Sequence, residues 1–167
     1  MPDGLRLEVV HRSSLGTDGR GTIIELCSDA LKVDCQDLFG FLSADSSHVL
    51  ASIDGRLIGH ACWATRQLQV DDDEPLETAW IDTVVVAPDA QRHGVGSAVV
   101  RHVAEMTAGF DLGALGTEQM PFFERLGWEP WLGPTSGVLH DPLDTLMVLR
   151  TARTPSVDTA VPITAVD

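Results

Sequence analysis

The sequence predicts an α/β fold, and three features of the chain support this prediction. Short apolar runs typical of strands alternate with helical patterns along the chain. A glycine-bearing turn joins a strand to an amphipathic helix within residues 78–105, and Asp54-Gly55 joins two other strands in a tight hairpin. At 167 residues, the chain is long enough for one domain with a sizeable core. We expect this domain at residues 1–150, followed by a tail at residues 151–167 that is mobile or packs on the sheet or on a partner subunit.

The first half of the chain contains three predicted strands and one helix. Residues 5–10 alternate apolar and charged side chains, as a half-buried strand does. A helix follows, and Thr17 and Asp18 are candidate caps at its start. Its apolar face comprises Ile23, Ile24, Leu26, Cys27 and Leu31. After an irregular acidic segment, residues 48–53 and 56–69 form the two strands of the hairpin.

The second half begins with a charged loop and continues with a strand that ends before Pro88. The next helix has an apolar stripe made of Val95, Ala98, Val99, Val103 and Met106. Residues 121–126 form one or two helical turns, and Gly127 is expected to cap them. Three short strands complete the sheet: residues 112–115, 128–132 and 146–150.

The composition excludes several classes of protein. A hydrophobic fraction of 44% is too high for a disordered chain, and no apolar run approaches the roughly 20 residues of a membrane-spanning helix. The first five residues lack the basic and apolar regions of a signal peptide. Cys27, Cys35 and Cys62 are odd in number and lack the spacing of zinc ligands. We therefore expect a cytoplasmic protein with reduced thiols, no metal and no membrane association.

The charge balance bears on the partners of the protein. Twenty-five acidic and eleven basic residues give a formal net charge of −14. Nucleic acid is disfavoured as a partner because its phosphates would be repelled. A cationic substrate would be attracted to such a surface. An acidic surface that only keeps the protein soluble explains the same charge, so charge alone does not decide the function.

The turn before the amphipathic helix has the composition of a phosphate-binding loop. Residues 91–96 have the sequence QRHGVG, and the helix that follows offers backbone N–H groups without intrahelical acceptors. A mononucleotide P-loop would end in Gly-Lys-Ser/Thr, but the one lysine, Lys32, lies far away. A dinucleotide loop would have a third glycine where Val99 stands. A strand–helix junction without a ligand is the remaining alternative.

The same loop resembles the coenzyme A loop of the GNAT superfamily of N-acetyltransferases. The resemblance rests on Q-x-x-G-x-G after V-x-V-A-P, together with FFERLGW at residues 122–128. It implies a mixed, mostly antiparallel twisted sheet of about six or seven strands flanked by helices, acetyl-CoA as the cofactor, and the homodimers common in that superfamily. Backbone groups of the strand and the loop would bind the cofactor: Val84, Val85, Val86, Gln91, Arg92, His93, Gly94, Val95, Gly96, Ser97 and Ala98.

Asp82 and Val84 are the candidate catalytic residues. Asp82 is a carboxylate in an otherwise apolar strand, and strand alternation places Trp80, Asp82, Val84 and Val86 on one face. The backbone N–H near Val84 would stabilise the oxyanion. Direct proton transfer from an ordinary ammonium to Asp82 is uphill by roughly 9 kcal/mol, so a water relay or an amine of lowered pKa is needed. A salt-bridged residue at a strand edge is the alternative for Asp82.

The chain departs from the superfamily at the general acid. Many of these enzymes have a tyrosine where Phe123 stands, and this chain contains no tyrosine. The leaving thiolate would take its proton from water, from the substrate ammonium, or from His93, His102 or Ser136. A thiol of pKa near ~8.5 needs only weak assistance at neutral pH.

Two further stretches resemble aminoglycoside 2'-N-acetyltransferases. These are LGAL at residues 112–115 and GWEPWLGPTS at residues 127–136. The resemblance implies that Asp82 replaces a glutamate base and that carboxylates and aromatic faces bind a polycationic sugar. The candidate substrate-binding residues are Asp34, Asp37, Phe39, Trp80, Asp82, Trp131, Asp141 and Asp144. Two alternatives remain, an acetyltransferase for another amine (a polyamine, an amino acid or a protein N-terminus) and a non-catalytic module that binds acyl-CoA.

Overall fold

A computed structural model describes residues 1–137, 141 and 143–167, and these form two units. Unit 1 comprises Met1–Ala64 and Asp82–Val103, and unit 2 comprises Thr65–Ile81 and Ala104–Asp167. Two long strands, β3 (Arg56–Val70) and β4 (Leu76–Val86), contribute residues to both units. Each unit is described separately below.

Unit 1 is built on an antiparallel arrangement of strands. β1 (Arg6–His11) pairs with β2 (Ser47–Ile53), and β2 pairs with β3. Asp54 and Gly55 have φ values of 50° and 79°, as a type I′ hairpin turn requires, which confirms the predicted hairpin. The helices of this unit are α1 (Gly16–Leu31), the four-residue α2 (Leu38–Phe41) and most of α3 (Val95–Met106).

The start of α1 differs from the prediction. Thr17 and Asp18 lie inside the first turn, and the N-cap residue is Leu15, which makes no side-chain capping bond. The reason is that a short 3₁₀ turn, Arg12–Ser14, leads directly into the helix, so Leu15 already has helical backbone angles. Ile23, Leu26 and Cys27 are buried as expected, whereas Ile24 is only partly buried and Leu31 is half exposed.

Helix α3 packs closely against β3. Val95, Ala98, Val99, Val100 and Val103 are buried along it, whereas Met106, its last residue, is 48% exposed and was wrongly assigned to the apolar stripe. A Cβ atom on Gly59 would lie 3.0 Å from the side chain of Val95 and 3.3 Å from that of Val99. The absence of a side chain at Gly59 therefore fixes how near the first turn of α3 comes to the strand.

Unit 2 contains the rest of the strands. β4 pairs in parallel with β5 (Leu112–Thr117), and β5 pairs antiparallel with β8 (Thr145–Arg150), which also pairs with β6 (Glu129–Pro130). β7 (Thr135–Ser136) pairs with β9 (Ile163–Ala165), and β9 pairs antiparallel with the end of β3. The short helix α4, Met120–Glu124, ends at the C-cap residue Arg125, two residues before Gly127, whose φ is 93°.

The C-terminal residues 151–167 pack on the sheet. Leu68 of β3 is paired with Ala165, and the Asp71 N–H donates to the Pro162 carbonyl at 2.8 Å. Ile163 is fully buried in the core of unit 2. Of the arrangements expected for the tail, packing on the sheet is the one observed.

The described residues thus form nine strands and four α-helices, with one parallel pair among the long strands. This confirms the mixed, mostly antiparallel α/β fold, although the strand number exceeds the prediction because β7 and β9, which are only two and three residues long, were not predicted. Among the helices that the structure describes, none combines the length and apolar character needed to cross a bilayer.

Candidate functional site

The loop between β4 and α3 is tied to the strands on which it stands. The side-chain amide of Gln91 donates to the Val86 carbonyl at 3.1 Å, and the Ala87 N–H donates to the Ile58 carbonyl at 2.8 Å. Arg92 and Gly94 have φ values of 66° and 85°. These left-handed residues turn the chain into α3 after a short 3₁₀ helix at Pro88–Ala90, and residues 91–94 are exposed.

The start of α3 has backbone N–H groups without intrahelical acceptors. The first intrahelical bond runs from the Ala98 N–H to the Gly94 carbonyl at 3.0 Å. The N–H groups of Val95, Gly96 and Ser97 therefore precede the first intrahelical acceptor, and the helix dipole adds partial positive charge there. The Ala98 N–H, which was expected to join them, is already bonded, so the donor set ends at Ser97. This arrangement fits an anionic phosphate group.

A cavity of about 350 Å³ adjoins the loop. Its lining is mainly apolar and comes from the N-terminus, the hairpin and the loop: Met1, Pro2, Ile53, Ile58, Asp89, Ala90, His93 and Val95. Both Asp89 carboxylate oxygens accept hydrogen bonds from Arg56 at 2.9 Å, and this contact holds the pKa of Asp89 below its usual range. His93, a loop residue that the sequence suggested as a general acid, lines this cavity.

Thr83 interrupts the regular backbone of β4. Its φ is 50°, a value that β-branched residues rarely adopt. The predicted alternation over Asp82, Val84 and Val86 assumed a regular strand, and Thr83 interrupts that regularity. The Asp82 side chain is exposed, whereas Val84 and Val86 are partly buried. Asp82, the candidate proton acceptor, and Val84, the candidate N–H donor, thus flank Thr83, a residue with a left-handed backbone within the strand.

Two histidines that the sequence analysis did not single out lie behind Thr83. His48 and His60 are fully buried, and His48 Nδ1 lies 2.8 Å from His60 Nε2. Burial lowers the pKa of both imidazoles, helped at His48 by Arg12 and at His60 by His48, so both are neutral at pH 7. Burial also raises the pKa of the neighbouring Cys62 thiol to about 12.

A register shift brings these side chains together. The tight turn alone would pair position 48 with position 61 and place His48 on the face opposite His60. A bulge between Ala51 and Ser52 shifts the ladder by one residue, so His48 is paired with Cys62. His48, His60 and Cys62 then share one face, because directly opposite residues point to the same side of a sheet. The turn signal was visible in the sequence, but the bulge was not.

His48, His60 and Cys62 also form a group of potential metal ligands, with ligand atoms within 4.8 Å of one another. A metal site was not expected here, because the cysteines lack the spacing of zinc ligands. Two imidazole nitrogens that share a tetrahedral zinc ion at about 2.0–2.1 Å stand about 3.3 Å apart. The 2.8 Å between His48 Nδ1 and His60 Nε2 fits a hydrogen bond instead.

The predicted substrate residues of unit 1 lie around α2. Asp34 and Asp37 are exposed, and the Asp34 carboxylate accepts the Gln36 N–H at 3.0 Å. Phe39 is partly buried, and the guanidinium of Arg12 lies 5.3 Å from its ring centre. Arg12 also donates to the carbonyls of Phe39, Leu42 and Ser43 at 2.7, 2.7 and 3.2 Å. Arg12 therefore anchors this segment, a role that no sequence pattern indicated.

The predicted substrate residues of unit 2 fall into two kinds. Trp80 and Trp131 are 7% and 6% exposed in the core, and the Trp131 indole N–H donates to the Val161 carbonyl at 2.9 Å. Packing accounts for both aromatics, and they leave little ring surface for a ligand. Asp141 is exposed, and its carboxylate accepts the Leu143 N–H at 2.9 Å; Asp144 is partly buried.

The candidates for the general acid have different environments. Phe123, at the position where many relatives have tyrosine, is buried edge-on against Trp128. Ser136 is exposed, and its hydroxyl lies 2.7 Å from that of Thr164. His102 is partly buried on α3, and His93 is exposed beside the cavity. In unit 1, His93 is thus the candidate that stands in the loop itself.

The acetyltransferase (GNAT) family profile matches residues 22–128, which include most of α1, the hairpin, β4 and the loop. The fold is similar to Escherichia coli ElaA, with 20% identity, a TM-score of 0.66 and coverage of 87% of this chain and 99% of that one. E. coli YhbS, solved in complex with CoA, has 15% identity, a TM-score of 0.69 and coverage of 99% and 93%.

The E. coli ribosomal-protein-S18-alanine N-acetyltransferase has 17% identity, a TM-score of 0.60 and coverage of 92% of this chain and 97% of that one. Comparison with curated protein sequences gave no significant match. The family match extends over more than half of the chain and includes the loop whose free amides fit a phosphate. The chain belongs to the GNAT family and is an acetyl-CoA-dependent N-acetyltransferase.

Proposed function

We propose that the protein acetylates an amine of a polycationic small molecule, and that this molecule is an aminoglycoside modified at its 2' amine. The observation that carries the proposal is the exposed Asp82 carboxylate beside the left-handed turn at Thr83, in the strand that leads into the amide loop. The net charge of −14 and the sequence resemblance at residues 112–115 and 127–136 support a cationic sugar as the acceptor.

The loop residues are suited to hold the cofactor. Acetyl-CoA supplies an acetyl group activated as a thioester. The N–H groups of Val95, Gly96 and Ser97 would bind its phosphates, and the exposed Arg92 adds a positive charge at the same place. Backbone groups of residues 84–86 would bind its pantetheine arm. The Val84 N–H would then donate a hydrogen bond to the carbonyl oxygen that gains negative charge.

Asp82 would take the proton that the acceptor amine loses. Because it is exposed, its carboxylate is solvated and not forced into the core. Transfer from an amine of ordinary pKa is uphill by roughly 9 kcal/mol. An aminoglycoside lowers this cost, since its neighbouring ammonium groups repel one another and lower the pKa of each amine. A water between the amine and Asp82 would serve the same purpose.

Substrate selection would depend on several carboxylates acting together. Asp34 and Asp37 are exposed in unit 1, shortly before the segment that Arg12 anchors. A single exposed ion pair contributes only about 0–1 kcal/mol. Removing one of these aspartates should therefore weaken binding modestly. Removing both should weaken binding further, and this loss should be larger at low salt than at high salt, because salt screens exposed charges.

A second candidate acceptor is a protein N-terminus. It is favoured by the fold similarity to the E. coli enzyme named for the alanine of ribosomal protein S18. An α-amine has a pKa of about 7.7–8.0, so it needs less help from Asp82 than an ordinary ammonium does.

The test is mass spectrometry after incubation with acetyl-CoA. The panel comprises aminoglycosides with and without a 2' amine, polyamines, amino acids and peptides with free N-termini. We expect a gain of one acetyl on the 2' amine, located by fragmentation, and no gain with Asp82→Asn protein. Acetylation restricted to peptides would support the second candidate, and acetylation of aminoglycosides lacking the 2' amine would refute the predicted position.

A further inference from the structure

A chain of hydrogen bonds runs through the interior of unit 1 to the backbone of Thr83. Ser46 Oγ lies 2.8 Å from His48 Nε2, and His48 Nδ1 lies 2.8 Å from His60 Nε2. His60 Nδ1 lies 3.0 Å from the Thr83 carbonyl oxygen. Ser46, His48 and His60 are all at most 1% exposed. No step of acetyl transfer described above uses these three side chains.

The carbonyl group at the end of this chain determines where its protons are. A carbonyl oxygen can only accept, so a hydrogen bond between His60 and the Thr83 carbonyl requires a proton on His60 Nδ1. Burial keeps the ring neutral, which leaves His60 Nε2 as an acceptor and His48 Nδ1 as the donor to it. By the same argument, His48 Nε2 accepts a hydrogen bond from the Ser46 hydroxyl. Each histidine is thus held in one tautomer.

Thr83 is the residue of β4 whose backbone requires such support. Its φ of 50° is strained because a β-branched side chain crowds the backbone in the left-handed region. Its hydroxyl lies 3.2 Å from His60 Nδ1 and 3.3 Å from Cys62 Sγ. The Cys62 thiol also donates to the Asp82 carbonyl at 3.6 Å. The side chains of His60 and Cys62 therefore contact the carbonyl groups of both peptide units that flank Thr83.

The peptide unit between Thr83 and Val84 links this support to the reaction. A trans peptide is planar, so its C=O and N–H groups point in opposite directions. A hydrogen bond that fixes the Thr83 carbonyl toward His60 also fixes the Val84 N–H away from His60. The direction of that N–H matters because a donor to a developing oxyanion acts only when it is aimed beforehand.

We propose that His60 is a positioning residue, whose Nδ1–H, oriented by His48 and Ser46, holds the Thr83 carbonyl and so aims the Val84 N–H. This inference rests on the proposed role of Val84. It assigns the buried histidines a function in the geometry of the site and none in proton transfer to substrate.

Two substitutions at the same position separate this function from simple packing. The amide nitrogen of asparagine can occupy the place of histidine Nδ1, so His60→Asn keeps a donor to Thr83 and loses the acceptor for His48. Glutamine places its amide near the position of Nε2, so His60→Gln keeps a partner for His48 and loses the donor to Thr83. Both variants remove an aromatic ring from the same buried site.

We expect His60→Gln to lower kcat about 10- to 100-fold, because the oxyanion donor is misdirected. The KM for acetyl-CoA should stay within about threefold, since the loop amides that bind phosphate lie elsewhere. His60→Asn should keep kcat within about threefold of the wild-type value. Equal losses in the two variants, or an unchanged kcat in His60→Gln, would show that His60 only fills the core.

An NMR measurement on the free protein tests the inference without substrate. At pH 7, the ¹⁵N shifts should show His60 protonated at Nδ1 and unprotonated at Nε2. The backbone amide resonance of Val84 should move in His60→Gln and stay near its wild-type position in His60→Asn. A wild-type His60 protonated at Nε2 overturns the inference, even if neither variant folds. If no amine is acetylated by the wild-type protein while these shifts behave as expected, the proposed function fails and the positioning of Val84 stands.

Discussion

At the scale of single residues, Asp82 gives the most direct test of the reaction chemistry. Asparagine has nearly the same shape as aspartate and cannot accept the proton of an ammonium. We expect Asp82→Asn to lower kcat by about 10²-fold or more, with the dissociation constant of CoA unchanged. Glutamate restores a carboxylate on a longer side chain, so Asp82→Glu should recover most of the activity.

The measurement is steady-state kinetics with the accepted amine, together with calorimetric titration of CoA into each variant. The exposed Asp34 supplies a matched control, because Asp34→Asn removes a charge of the same kind elsewhere in unit 1. It should change the KM of a cationic acceptor and leave kcat nearly unaltered. Loss of CoA affinity in Asp82→Asn equal to its loss of kcat would indicate that Asp82 only maintains the strand.

At the scale of elements, the turns and element boundaries that depend on residues adjacent in the sequence were predictable. Asp54-Gly55 predicted the hairpin because a type I′ turn needs left-handed residues, and the structure has them. Pro88 likewise predicted where β4 ends. The cofactor loop was found from the sequence for this reason: its strand, turn and helix start are contiguous in the chain.

The features that depend on contacts between residues far apart in the sequence were not predictable. The His48–His60 contact depends on the bulge at Ala51/Ser52, which no single residue announces. The left-handed Thr83 opposes its own β-branched propensity, so only tertiary contacts explain it. Trp131 was predicted to bind substrate because its burial could not be read from the neighbouring residues. That burial depends on β9 and the C-terminal segment, which pack over it.

Gly59 provides a prediction about the seating of α3 on β3. A methyl group there would come within 3.0 Å of Val95 and 3.3 Å of Val99, so the first turn of α3 must shift. We expect Gly59→Ala to cost about 1–3 kcal/mol in the free energy of unfolding and to weaken CoA binding, because the loop amides move with the helix.

Gly21 is the matched control, since it lies in α1 without a left-handed backbone, and a methyl group added to it would meet no neighbouring atom within 4 Å. Gly21→Ala should stabilise the protein by up to about 1 kcal/mol through helix propensity and leave CoA affinity unchanged. Urea unfolding and calorimetric CoA titration measure both quantities. Weaker CoA binding in Gly21→Ala, or unchanged CoA binding in Gly59→Ala, would contradict the link between α3 seating and the cofactor loop.

At the scale of the whole molecule, the chain is strongly acidic while the interior of unit 1 holds neutral imidazoles. The net charge of −14 favours encounter with cations, and exposed carboxylates remain ionised well below neutral pH. In the unfolded chain the two histidines titrate near pH ~6.5, above the range in which carboxylates titrate. Their effect on the stability of the protein can therefore be separated from that of the acidic groups by choosing the pH.

The expected pH dependence follows from the lowered pKa values of His48 and His60. In the unfolded chain both titrate near pH ~6.5, so below that pH the unfolded state binds more protons than the folded state. The stabilisation is complete above about pH 7 and is lost as the pH falls through 6.5 toward the folded-state pKa values. Between pH 7.5 and pH 5 we expect the free energy of unfolding to fall by about 1–2 kcal/mol for each histidine.

Urea unfolding across that range, compared between wild type and two variants, tests the assignment. His60→Gln should show a shallower dependence, because one buried titrating group is gone. His93→Gln, which removes an exposed imidazole of the loop, serves as the control variant. The paired carboxylates do not confound the comparison, since hydrogen bonds from Arg56 and Arg66 lower the pKa values of Asp89 and Asp167, and their contribution is lost only below about pH 4. A wild-type stability that stays constant from pH 7.5 to pH 5 would mean that the two histidines are not buried as neutral groups.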